Sequence, residues 1–116
     1  MTKYEKATKF FGNQNWKEHS FGGGLVGENA TVNIKCYVGP NAIVADHARM
    51  SEDVHVSGHA QVFGHAHVCG DAKVSGSAWV SGHAQVFGHV KVSGNAHVTG
   101  HAKVSGSAWV YGYTVV

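Results

Sequence analysis

Ten histidines stand among 116 residues, and four of them, His47, His65, His83 and His101, recur at intervals of eighteen. Imidazole ligates metal ions and moves protons near neutral pH, so a fixed interval raises both chemistries. A third needs a carboxylate to orient the ring. Asp46 beside His47 and Asp71, six residues from His65, are the nearest candidates. Whether the four histidines form a site depends on what lies eighteen residues away in space, and that is set by a repeat.

From Val26 to Val116 an aliphatic residue returns every sixth position without a slip, giving fifteen complete hexads. A small or β-branched residue precedes each later aliphatic by two positions, as Ala60 precedes Val62. Small, variable, aliphatic reads in, out, in, the period of a short strand. The next three residues must turn the chain. Gly holds the middle turn position in every hexad from Gly58 to Gly112, where positive φ costs it nothing. The third turn position is mostly Asn, Asp, His or Ser, types expected to tolerate unusual turn dihedrals. No helix pattern competes.

Three-residue strands joined by three-residue corners predict an all-β solenoid whose coils stack strand upon strand. The residues from Val26 to Val116 resemble the hexapeptide-repeat superfamily, the left-handed parallel β-helix of many acyltransferases. That resemblance implies three hexads per triangular coil, hence about five coils. The later hexads depart from it by placing Gly one position further from the aliphatic than Gly27 and Gly39 do. This shift resembles the YGNA-type arrays of phage and prophage proteins.

With eighteen residues per coil, the sequence becomes a surface map. Outward strand positions form three columns: Thr31, Arg49, His67, Gln85, Lys103; then Tyr37, His55, Lys73, Lys91, Trp109; then Ile43, Gln61, Trp79, His97. None is a flat array of Thr, which disfavours an ice-binding face. His47, His65, His83 and His101 fall in one corner column, where neighbouring rings could share a metal ion. The same column is equally explained as stacked corner imidazoles that need no ligand. Copied segments support the plainer explanation. VSGHAQVFGH at Val56 returns at Val80, and AKVSGSAWV at Ala72 returns at Ala102, shifts of 24 and 30 residues that keep the hexad and change the face.

Residues 1–25 lie outside the phase and carry Tyr4, Phe10, Phe11, Trp16 and Phe21. They are expected to cap the apolar end of the solenoid formed by residues 26–116. At the other end the repeat runs to Val116 after Tyr111 and Tyr113, an open edge expected to favour self-association. Phe63, Trp79, Phe87, Trp109, Tyr111 and Tyr113 project from a prism already filled by Val and Ala. They read as contact surface.

A net charge of +2 without Lys or Arg runs argues against nucleic acid. The first twenty residues hold no apolar run long enough for a leader or membrane span. Cys36 and Cys69 sit at different phases of the repeat, against a disulfide, and the expected location is cytoplasmic. The leading expectation is a non-catalytic module without cofactor, homo-oligomeric and presenting aromatic and His-bearing faces to a protein partner. The phage resemblance would make that partner a host protein, inhibited or assisted. The superfamily resemblance implies a trimer, with an end-to-end dimer as the alternative. It also implies an acyltransferase with a His general base at a subunit seam, or a zinc enzyme similar to the γ-class carbonic anhydrases, for which His65, His67 and His83 could converge. Against both, no acceptor loop interrupts the hexads.

Overall fold

The structure is a computed structural model that describes residues 3–12 and 14–116. It contains a nine-residue helix, α1 (Lys3–Phe11), and a short strand, β1 (Lys17–Glu18). A two-residue strand then follows every six positions, from β2 (Leu25–Val26) to β16 (Trp109–Val110). The strands are short because each holds one outward residue and one inward aliphatic before the chain turns.

Three sheets result, each built from every third strand in parallel, with β1 added antiparallel at the edge of the first. The first runs β1, β2, β5 (Ile43–Val44), β8 (Gln61–Val62), β11 (Trp79–Val80), β14 (His97–Val98). The second runs β3 (Thr31–Val32), β6 (Arg49–Met50), β9 (His67–Val68), β12 (Gln85–Val86), β15 (Lys103–Val104). The third runs β4 (Tyr37–Val38), β7 (His55–Val56), β10 (Lys73–Val74), β13 (Lys91–Val92), β16. Gln61 lies opposite both Ile43 and Trp79, so the coil is eighteen residues. The chain is a parallel β-solenoid of about five coils, and the three outward columns are those the spacing predicts.

The hydrogen-bond ladder continues through the corners. Gln61, Phe63 and His65 donate their N–H groups to the carbonyls of Ala78, Val80 and Gly82 at 3.0, 2.9 and 2.7 Å. At many corners the small residue closes a turn, as Ala60 N–H does on Ser57 O at 3.3 Å. The first central residue, Gly58, has φ +63°. Positive φ there and not at the next residue is the type II′ pattern. The third turn position therefore carries no unusual dihedral, contrary to the expectation from its residue types. Gly is demanded twice at this corner, since a Cβ on Gly58 would also lie 2.8 Å from the carbonyl oxygen of Gly76 above it.

The interior is a stack of Val rungs alternating with Ala rungs. Val56, Val62, Val68, Val74 and Val80 are fully buried, as are Ala60, Ala66, Ala72 and Ala78. Each buried Val contributes roughly 1.5–3 kcal/mol of hydrophobic burial. Rungs of two sizes let the coils close at the fixed strand spacing of about 4.8 Å.

The N-terminal segment touches the solenoid in several places. β1 pairs antiparallel with β2, Lys17 opposite Val26. Val38 N–H donates to Phe21 O at 3.0 Å and Gly24 N–H to Val38 O at 2.9 Å, so the first edge of the third sheet is bonded as well. Finally α1 lies on the outer flank of the first sheet, where Ala7, Leu25, Ile43 and Ala45 form a second apolar cluster with Phe11, Trp16 and Phe63. The apolar cross-section itself stays partly open, for Val26, Ala30 and Val32 are only half-buried. Among the described residues no helix is long and apolar enough to cross a membrane.

Candidate functional site

The histidine column exists as a stack. His47, His65, His83 and His101 hold their ring centroids 5.0, 5.0 and 5.1 Å apart, with successive planes within 6° of parallel. This repeat is the strand spacing carried outward through identical corners. Imidazole lone pairs lie in the ring plane, so parallel rings aim theirs side by side. A tetrahedral ion needs nitrogens converging at about 2.0–2.1 Å. Among the described residues no group of three or more His, Cys, Asp or Glu is placed to hold a metal. The column is a stack, because one register repeats at every rung, and neither it nor the trio His65, His67 and His83 stands among the described residues as a converging set of ligands.

Acid–base pairs fare no better. Asp46 has φ +59° at its corner. Its Oδ1 accepts from Gln14 Nε2 at 2.7 Å, and its Oδ2 accepts from Gly64 N–H at 3.1 Å. The carboxylate is occupied by structure and does not orient His47. Asp71 reaches His89 rather than His65, at 3.4 Å between exposed side chains. That separation in open solvent makes a weak ion pair.

Both cysteines are free thiols, Cys36 in the core and Cys69 at a corner. Burial pushes both thiols up, opposed at Cys36 by backbone hydrogen bonds and reinforced at Cys69 by the nearby Glu52 carboxylate. Neither has the electropositive surroundings of a nucleophile.

The six aromatic residues expected as contact surface divide by position. Phe63 is half-buried beneath its own chain, its ring 5.2 Å from Phe11. The N-terminal segment occupies the side that was expected to be free. Trp79 lies edge-on to Phe63 and stacks on His97 at 4.8 Å, with one margin exposed. Phe87 is exposed at the corner between the second and third sheets. The most open are Trp109 at 66 %, Tyr111 at 62 % and Tyr113 at 85 %, joined by exposed Val115 and Val116. These five gather on the coil nearest the C-terminus.

Some contacts were invisible in the spacing. Phe21 meets Tyr37 at 5.0 Å, and Tyr37 stacks on His55 at 5.7 Å. Tyr37 and His55 share a column, so their contact is implied by the coil length; Phe21 lies outside the repeat and has no such marker. Lys91 Nζ sits 5.1 Å above the Trp109 ring, a cation–π contact between successive rungs.

No protein-family model, curated protein or solved structure matches this chain. The functional reading therefore rests on geometry alone.

Proposed function

We propose that this chain is a non-catalytic β-solenoid module that self-associates and docks a protein partner through exposed aromatic side chains. The observation that carries this reading is the cluster of Trp109, Tyr111, Tyr113, Val115 and Val116 on one coil. Large apolar groups gathered on a surface whose core is already filled favour an interface. The dispersal of histidines and carboxylates over different faces argues in the same direction, against the acyltransferase and carbonic-anhydrase alternatives.

End-to-end pairing through the coil that carries Trp109, Tyr111 and Tyr113 is the arrangement favoured here over the trimer. Near the N-terminus two of three first edges are bonded by residues 17–24, which fits a capping role for that segment. The exposed aromatic side chains of the other coil offer two copies the same surface, and identical surfaces pair about a two-fold axis. The six-residue repeat also supports assignment to the left-handed hexapeptide type. A phage-encoded partner of a host protein and a cytoplasmic setting stay part of the same proposal.

A disulfide trap tests the arrangement. In a Cys69→Ser background, Ser107→Cys places a thiol on the C-terminal coil, and Ser77→Cys places one mid-stack as a control. Faster oxidation to a covalent dimer at position 107 than at 77 is expected. Equal rates would remove the end-to-end arrangement.

A further inference from the structure

The groove beside the imidazole stack is a surface feature that the proposed assembly does not use. His47, His65 and His83 form one wall, and Arg49, His67 and Gln85 of the second sheet form the other. The second wall is in register, Arg49 opposite His67 and His67 opposite Gln85. Every one of these side chains is exposed and every one offers an N–H donor. No carboxylate lines the groove.

The neighbouring charges are mixed, since the corner on the far side of the second sheet carries Glu52, Asp53 and, one coil on, Asp71. Lys103 continues the sheet column above Gln85. On the corner side the acidic groups are Asp46, bonded to Gln14 and Gly64, and Glu28, whose Oε2 accepts from Asn15 Nδ2 at 2.8 Å. Both carboxylates are engaged by the N-terminal segment and the corner backbone. All the acidic residues of the chain lie at or before Asp71, so the upper coils bring none.

We infer that this groove binds a multivalent oxyanion of the oligophosphate class. Arg49 supplies a permanent charge and a planar fork of donors suited to phosphate oxygens. The parallel rings, 5.0 Å apart, present the same donor edge at each rung. A single exposed contact is screened by water and salt. An oligophosphate engages two or three rungs together, and linked contacts gain through effective concentration. A monophosphate spans one rung and gains nothing from the repeat.

The test uses the whole chain and sodium tripolyphosphate, with inorganic phosphate as the comparison, followed by calorimetry and by the shifts of the His ring resonances on titration with each anion. Asn serves as the replacement because Asn29 already occupies this position in the same column, and Asn95 the equivalent position at another corner. Tripolyphosphate is expected to bind about tenfold more tightly than inorganic phosphate, and R49Q to weaken it about tenfold. H65N/H83N should weaken it similarly, while H59N, on another corner, leaves it unchanged. Absence of saturable binding, or affinities unchanged in both R49Q and H65N/H83N, would overturn the inference. The assembly mass is read separately and does not depend on it.

Discussion

Gln14 and Asp46 exchange hydrogen bonds in both directions: Gln14 Nε2 donates to Asp46 Oδ1 at 2.7 Å, and Asp46 N–H donates to Gln14 Oε1 at 2.7 Å. Gln14 O also accepts from Glu28 N–H at 2.7 Å. The pair latches the N-terminal segment to two successive coils. It also explains a positive-φ aspartate at a corner where most other coils use Gly. Replacing Gln14 by Ala should destabilise the chain by roughly 1–2 kcal/mol. Asp46→Ala should cost a similar amount, and the double variant less than the sum. Urea unfolding of the four proteins checks the coupling; strict additivity would show that the two bonds act independently.

Two glycines separate backbone strain from crowding. Gly76 has φ +67° and a Cβ there would meet Gly94 O at 2.8 Å, whereas Gly112 has φ +69° with nothing within 4 Å. Gly112→Ala should therefore cost only the left-handed penalty of about 1–2 kcal/mol. Gly76→Ala should cost clearly more, because the coils must part. Thermal midpoints of the two variants give the comparison, and equal losses would mean that stacking is looser than described.

The thiols should react slowly and in a fixed order. Both are pushed up by burial, so less thiolate is present at a given pH than for a free cysteine near 8.5. Cys69 at its half-buried corner should be alkylated before Cys36, which lies in the core. Reaction of Cys36 is expected only as fast as the chain opens. Iodoacetamide labelling read by mass spectrometry decides the order, and the reverse order would displace Cys36 from the interior.

Core truncation should be felt wherever it falls along the axis. Val68→Ala removes two methyl groups from a fully buried rung between Met50 and Val86. A loss of about 2 kcal/mol is expected. Denaturant midpoints supply the value, and a change below about 0.5 kcal/mol would place that rung at the surface.

Most of this architecture is legible in the sequence because a six-residue period admits few arrangements. Val62 and Val80 had to stack once the coil length was eighteen, and Trp79 then had to meet His97. The same arithmetic placed His47, His65, His83 and His101 in one column. It could not say how the rings would lie, since that depends on corner dihedrals rather than on spacing. Identical type II′ corners turn each ring the same way, which gives stacking in place of convergence. The N-terminal segment was least legible. Its aromatics predicted a cap, yet Tyr4, Phe10 and Phe21 stay exposed, and only long-range contacts show that Phe11 covers Phe63 and that Gln14 claims Asp46. Those contacts remove one expected surface residue and one expected carboxylate from the functional reckoning.

The central claim is that the aromatic coil near the C-terminus joins two copies. Light scattering across a range of concentrations measures it most directly. The native chain should exceed its 12.3 kDa monomer mass, approaching twice that value as concentration rises. Trp109→Ala with Tyr111→Ala should return it to the monomer while far-ultraviolet circular dichroism stays unchanged. A native chain that remains monomeric throughout, or a double variant that associates as the native chain does, would contradict the account.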